Sequence, residues 1–275
     1  MEKIDLHLHT NLSDGTLTPE QVIYLAYKNG CKKIAITDHD YAGNYKEYEN
    51  KYKIKILSGI EFNTATTNMH ILGYGIDDAN KVNDSLKEIK LVNEKICYKI
   101  IENMKNDGYD ISIDKVINYL NSIGINTDIL DKRKIVKYLI YKKYSNGILD
   151  TYNNLIGVNQ KYYIPNKKIS PKDIIKLIND CNGVSVLAHP NMLMLNEYDF
   201  LKQIEKLQEY GLSGIEIINE KLKLCNNLNY SKIADSQGLI KTVGSDFHEP
   251  TDCLGIKTNK DIYINLHKKI LEKRK

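Results

Sequence analysis

The chain has 275 residues, enough for one large domain or for a domain carrying an insertion. Its 42% apolar and 27% charged residues suit a globular protein, and no stretch reaches the roughly 18 apolar residues of a membrane span. A net charge of +4, from 39 basic and 35 acidic side chains, is too balanced to mark a nucleic-acid scaffold. The first residues, Met-Glu-Lys-Ile-Asp-Leu-His, hold no apolar leader, and Cys31, Cys97, Cys181, Cys225 and Cys253 are scattered without a C-x-x-C pair. The expectation is a cytoplasmic protein with reduced thiols, no membrane contact and no obligate protein partner.

Residues 3–9 alternate strictly and predict a first strand, with Ile4, Leu6 and Leu8 on one face and Asp5, His7 and His9 on the other. Thr18-Pro19 opens a helix: Thr18 can cap it, Pro19 suits its first position, Gln21 sits at the capping-box position, and Gly30 stops it. Residues 33–38, 54–63 and 69–76 read as three further strands. From about residue 81 to 164 helical spacing takes over, with Leu86, Ile89, Val92, Ile96, Ile100 and Met104 on one stripe and shorter helices near 112–122 and 132–143. Strand–helix units then return: a helix from Ser170-Pro171, a strand over 183–188, a helix over 198–210, strands over 214–218 and 239–244, and a Lys-rich terminal helix. Repeated units of this kind predict a parallel α/β body over residues 1–80 and 165–275, a barrel rather than an open sheet, interrupted by a helical insertion over 81–164.

Six of the seven histidines sit at strands. His7 and His9 end the first, His39 follows the second inside Thr-Asp-His-Asp, and His70 begins the strand 69–76. His189 ends the strand 183–188 ahead of Pro190, and His248 follows Val243-Gly244-Ser245-Asp246. Only His267 lies on a plain Lys-rich helix. In a parallel α/β body the C-terminal ends of the strands converge on one rim. Asp14, Asp38, Asp40, Glu61 and Asp246 join the histidines there. Imidazole nitrogens with carboxylate oxygens suit Zn, Mn or Fe. A single histidine at a strand end is more often a hydrogen-bonded structural residue; six together are too many for a Ser–His–Asp arrangement or for one zinc. No Walker or G-x-G-x-x-G phosphate loop is present.

These residues resemble a known family, the PHP (polymerase and histidinol phosphatase) phosphoesterases. The resemblance is carried by Asp5-Leu6-His7-Leu8-His9-Thr10, Ser13-Asp14-Gly15, Thr37-Asp38-His39-Asp40, Gly59-Ile60-Glu61, His70-Ile71-Leu72-Gly73, Ala188-His189-Pro190 and Gly244-Ser245-Asp246-Phe247-His248, all in the family's order. It implies a distorted (β/α)7 TIM-like barrel with its site at the C-terminal rim and two or three divalent metal ions, Mn, Zn or Fe. His7, His9, Glu61 and Asp246 are implied as ligands of one ion, Asp14, His39 and His248 of a second, and His70 and His189, with Glu61 bridging, of a third. Ser-Asp-Gly-Thr-Leu-Thr-Pro-Glu followed by Thr-Asp-His-Asp is most similar to the small stand-alone bacterial branch. Members of that branch dephosphorylate 3′,5′-bisphosphonucleotides or trim short RNA from its 5′ end, under a helical lid that corresponds to the insertion. The branch's Arg-Pro-His-like lid element reads Asp131-Lys132-Arg133-Lys134-Ile135 here, and Asn191-Met192-Leu193-Met194, without Arg, follows Pro190.

The expected reaction is metal-assisted hydrolysis of a phosphate ester on a nucleotide or short oligonucleotide. Asp38 and Asp40 are the candidate catalytic carboxylates, orienting or polarising metal-bound imidazoles; turn capping is the plainer alternative, equally open for Asp40. Lys132, Arg133 and Lys134 are candidate binders of substrate phosphates, with a solvated helix face as the alternative. Two rival readings stay open: a histidinol-phosphate phosphatase using the same ligands, and an inactive module that binds nucleic acid or a replication partner.

Overall fold

The strand–helix alternation is realised, but one strand runs against the expected direction. The computed structural model of the chain describes residues 1–219 and 228–275, so Cys225 lies outside the described residues. The order is β1 (Glu2–Leu8), α1 (Pro19–Lys28), β2 (Lys33–Ile36), α2 (Glu47–Tyr52), β3 (Lys55–Asn63), β4 (His70–Tyr74), α3 (Ala79–Asn106), α4 (Ile113–Ser122), α5 (Lys132–Tyr141) and α6 (Ile148–Thr151). It continues α7 (Pro171–Asp180), β5 (Val184–Leu187), α8 (Glu197–Glu209), β6 (Gly214–Asn219), α9 (Tyr230–Ser236), β7 (Ile240–Gly244), β8 (Ile256–Thr258) and α10 (Asp261–Lys273). The chain packs as two compact units, Met1–Asp84 with Ile169–Lys275, and Ser85–Lys168.

The first unit is a nearly closed barrel of eight strands in the order β7-β6-β5-β4-β3-β2-β1-β8. β1, β2 and β3 are parallel, as are β5, β6 and β7. β4 is antiparallel to both β3 and β5, a departure from the parallel reading. Its cause is local: only residues 64–69 join β3 to β4, too few for the crossover that parallel neighbours need. The eighth strand, β8, also goes beyond the expected seven; it runs antiparallel to β1 over Glu2–Ile4. At the other end of β1 the segment after β7 closes the ring. There Asp246 N donates to His7 O at 3.0 Å and His9 N donates to Phe247 O at 2.9 Å.

The barrel interior is filled by Ile4, Leu6, Ala35, Leu57, Leu72, Tyr74, Val184, Val186, Ala188 and Val243, joined by Leu266 and Ile270 of α10. Leu8 packs instead with Val22, Ile23 and Ala26 of α1. The expected shared face of Ile4, Leu6 and Leu8 is therefore corrected: the pairing of β1 with β2 slips between Asp5 and Leu8. Such an irregularity re-aims side chains. It turns His7 and His9 to the mouth of the barrel, above the apolar layer to which Ile4 and Leu6 belong.

Helix starts follow the sequence signals. Gln21 N donates to Thr18 Oγ1 at 3.3 Å and Thr18 N to Gln21 Oε1 at 2.8 Å, closing the capping box of α1. Ser170 caps α7, with Pro171 in the first turn. The second unit has its own core, with Cys97, Ile100 and Met104 of α3, Val116 and Leu120 of α4, and Ile135 and Leu139 of α5 among its buried side chains.

Candidate metal centre

The rim of the barrel gathers residues from seven separate places in the chain. His7 comes from β1 and His9 directly follows it, Asp14 comes from the loop beyond, His39 from the segment after β2, Glu61 from β3 and His70 from β4. His189 follows β5, and Asp246 and His248 follow β7. Glu61 is the centre of the arrangement and is 1% exposed. Its Oε2 lies 3.2 Å from His7 Nε2, 3.1 Å from His9 Nε2 and 3.3 Å from His39 Nε2. Its Oε1 lies 2.9 Å from His70 Nδ1 and 2.8 Å from His189 Nε2. Asp246 Oδ1 stands 3.2 Å from His9 Nε2 and 3.5 Å from His7 Nε2. Asp14 Oδ1 stands 3.4 Å from His248 Nε2 and 3.6 Å from His9 Nδ1.

Three overlapping donor sets result: His7, His9, Glu61 and Asp246; His9, Asp14, His39 and His248; and His39, Glu61 and His70, each with its ligand atoms within 4.8 Å of one another. Nitrogen and oxygen ligands about 2.0–2.2 Å from one ion stand roughly 3–3.5 Å apart, so the spacing fits metal ligation. The buried atoms agree. His7 Nε2 and His9 Nε2 both face Glu61 Oε2 without making hydrogen bonds. Buried polar atoms left in that state are costly, and a cation among them would satisfy all three.

The electrostatics are those of a nest of ion pairs. Burial pulls the His9 imidazolium down, but Asp246, Glu61 and Asp14 outweigh it and raise its pKa to about 9. The same contest leaves His7 well above its ordinary range, through Glu216, Glu61 and Asp246, and lifts His189 through Glu61. Burial pushes Glu61 up, yet His39, His7, His70 and His189 hold it well below the usual carboxylate range; Asp246 is lowered by its histidines in the same way. A cation that enters this nest displaces protons.

Three of the nine positive-φ non-glycine residues among the described residues lie at the site. Asp40, His189 and Asp246 adopt positive φ of 55°, 24° and 57°. For non-glycine residues each costs on the order of 1–3 kcal/mol, and such strain clusters at functional sites.

The two candidate catalytic carboxylates flank the cluster. Asp38 is 1% exposed and accepts from Thr10 N at 2.7 Å, Thr10 Oγ1 at 2.7 Å and Ser13 Oγ at 2.6 Å, so it fastens the loop that carries Asp14. Asp40 accepts from Asn63 N at 3.1 Å and Asn63 Nδ2 at 2.8 Å. Lys132, Arg133 and Lys134 belong to the second unit, in the first turn of α5. Lys132 Nζ donates to Ile164 O, Lys134 Nζ donates to Ile129 O at 2.7 Å, and Arg133 pairs with Asp131 at 2.9 Å. His267 is exposed on α10 and stacks on Tyr263.

One residue of the site escaped the sequence reading. Glu216 of β6 is 1% exposed and contacts both His7 and His189. Its signal was present: a lone acid inside Gly-Ile-Glu-Ile-Ile, a run that otherwise reads as a buried strand, where an unpaired charge is costly.

A barrel whose strand ends bring six imidazoles and three carboxylates together defines a metal-dependent α/β-barrel protein. The PHP domain family model matches residues 5–185, and the chain belongs to that family. The 3′,5′-nucleoside bisphosphate phosphatase of Chromobacterium violaceum is 26% identical over 256 residues, 91% of this chain and 88% of that protein. The phosphoribosyl 1,2-cyclic phosphate 1,2-diphosphodiesterase of Eggerthella lenta is 25% identical over 89% of this chain and 93% of that protein. The 5′-3′ exoribonuclease of Haemophilus influenzae is 24% identical over 95% of both. The fold is shared with a solved Chromobacterium violaceum amidohydrolase structure that holds sulfate and no metal, with a TM-score of 0.81, 24% identity, and 97% of this chain and 96% of that one covered.

Proposed function

We propose that the chain hydrolyses phosphate esters with divalent metal ions held at the barrel rim, and that its substrate is a 3′,5′-bisphosphonucleotide, which loses its 3′-phosphate, or the 5′ end of a short RNA. The observation that carries the reading is Glu61, whose two oxygens are divided among five imidazoles while Asp14 and Asp246 close the cluster. Overlapping donor sets that share Glu61, His9 and His39 support two or three ions, and mixed imidazole and carboxylate donors support Mn, Zn or Fe.

Bound divalent ions supply charge neutralisation at the phosphoryl oxygens and activation of water. The chain holds the ligands in place beforehand. His248 Nδ1 donates to Asp246 O at 2.8 Å, which leaves its Nε2 toward Asp14. The Thr10 and Ser13 bonds to Asp38 fix the loop of Asp14. His7 and His9 are fully buried, whereas the side chains of His70, His248 and Asp246 are 26%, 20% and 17% exposed. The substrate phosphate therefore approaches on the edge formed by these three. Of the three candidate phosphate binders, Arg133, part-exposed and paired with Asp131, enters the reading as a further phosphate contact, whereas Lys132 and Lys134 are held on backbone carbonyls of their own unit. Free thiols at Cys31, Cys97, Cys181 and Cys253 support a cytoplasmic setting. No helix among the described residues is long and apolar enough to cross a membrane.

The test is a phosphate-release screen over 3′-phosphoadenosine 5′-phosphate, short 5′-phosphorylated RNAs, a ribose cyclic phosphate and histidinol phosphate, with metal content measured on the same sample. Release from the bisphosphonucleotide or RNA, absent after metal stripping, is expected. Full activity in a metal-free sample overturns the reading. Turnover of histidinol phosphate alone replaces its substrate, and a metal-free chain inactive on every ester returns the binding-module alternative.

A further inference from the structure

We infer that Glu216 is a positioning residue that keeps His7 in the tautomer able to bind metal and, with its other oxygen, holds the backbone of His189. The inference rests on reading the cluster as a metal centre. The two oxygens of Glu216 are divided between two histidines that lie far apart in the chain. Oε1 accepts from His7 Nδ1 at 3.0 Å, and Oε2 accepts from the backbone N–H of His189 at 2.7 Å. With Glu216 Oε1 as the acceptor of this bond, the proton in it sits on His7 Nδ1. In the neutral ring, Nε2 is then the lone-pair atom, and Nε2 is the atom that faces Glu61 at 3.2 Å and Asp246 at 3.5 Å. At His189 the same carboxylate fastens a residue whose backbone, at φ 24° and ψ 63°, is unfavourable on its own.

The strand geometry is shaped around this contact. The pairing of β6 with β7 slips between Glu216 and Ile218. Opposite, β7 ends in Gly244, where a Cβ would fall 2.2 Å from His7 Cβ and 2.8 Å from Glu216 Oε1. A residue with no side chain therefore leaves room for the His7–Glu216 pair. Only an acid meets both demands, because both neighbours present N–H groups. A glutamine that turns its oxygen to His189 N–H presents NH2 to His7 Nδ1. That nitrogen must then be the acceptor, and the ring proton moves to Nε2, on the ligand side. Turned the other way, the amide sets NH2 against the His189 N–H.

The test uses the full chain and Glu216→Gln, with two readouts: zinc equivalents retained after dialysis, and long-range proton–nitrogen spectra that report which His7 nitrogen carries hydrogen. In zinc-loaded wild type, His7 is expected to be protonated at Nδ1. The variant is expected to lose one zinc equivalent, or about 10–100-fold in affinity for it, as happens when the group behind a metal-bound histidine is removed. Its metal-free melting temperature is expected to change little. A variant that loads like wild type with the proton on Nδ1 overturns the inference, and so does a zinc-loaded wild type with the proton on Nε2. The second readout decides the matter even where the variant does not fold. A wild type that takes up no metal overturns the metal-centre reading and this inference with it. A wild type and variant that load equally overturn this inference alone.

Discussion

The barrel unit and the helical unit bury charge in opposite ways. In the barrel, buried histidines and carboxylates face one another: His7, His9, Glu61 and Glu216 are all at most 1% exposed and are drawn from strands and a strand end up to 209 residues apart. In the helical unit, Lys132 and Lys134 are buried, but each ammonium ends on a backbone carbonyl of the same unit. The second arrangement is a local structural solution to burying a long basic side chain. The first is mutual and has no stabilising purpose that an apolar layer would not serve better, which marks it as functional. Overall charge divides similarly. Residues 85–168 hold fifteen basic against nine acidic side chains, and the rest of the chain twenty-four against twenty-six. The negatively balanced unit thus holds the candidate cation ligands, and the positive charge lies in the insertion.

This contrast can be broken most directly in the barrel. Asp246→Asn or His9→Ala removes a donor from the shared cluster, and phosphate release from a responsive ester is expected to fall by on the order of 100-fold or more, a larger effect than that of losing a supporting group. Chelation should produce the same loss and added Mn should reverse it; an unaffected rate in either variant would dissolve the functional reading of the barrel. The helical unit answers through packing instead. Leu139→Ala opens its core and is expected to cost about 2–5 kcal/mol in denaturant unfolding while bound metal per chain stays constant. Metal lost from that variant would end the separation between the units.

A subtler probe is Ser13→Ala. It removes the 2.6 Å bond to Asp38 and is expected to cost about 1.5–3 kcal/mol by thermal melting, with weakened metal retention through the loop of Asp14. Unchanged melting would show that Thr10 alone fixes that loop. The smallest effect belongs to the exposed face of the insertion. Lys115 and Lys142 lower the Asp110 carboxyl to about 2 from an ordinary 3.8. The folded carboxyl holds its proton more weakly than the unfolded one. Its contribution is therefore present above about pH 4 and disappears as the pH falls toward 2. Asp110→Asn should lower stability slightly at neutral pH and not at all at pH 2, and added salt should shrink the difference.

Much of the site could be read from residue types and their places. His39, His189 and His248 follow strands, and strand ends in an α/β body converge, so their grouping follows from the sequence. The capping box of Thr18 and Gln21 and the Ser170-Pro171 helix start are local, and local signals persist in the fold. The direction of β4 was less accessible, because strand periodicity is the same in parallel and antiparallel pairs; the shortness of the link over residues 64–69 was the available clue.

What the sequence determined by itself was the inventory and its order: nine candidate donor residues at strand ends and turns, and a helical stretch dividing two α/β segments. Composition and periodicity suffice for that because they act within a few residues. What tertiary structure alone decided was aim. The slip in β1 separates Leu8 from Ile4 and Leu6 and turns His7 and His9 to the barrel mouth. The slip in β6 and the bare Gly244 allow Glu216, a lone acid in a run that otherwise reads as a buried strand, to reach His7 and His189. Register and close approach are set by neighbouring strands distant in the chain. For that reason the candidate donors were legible in the sequence, while the partners of the carboxylate between two of them were legible only in the fold.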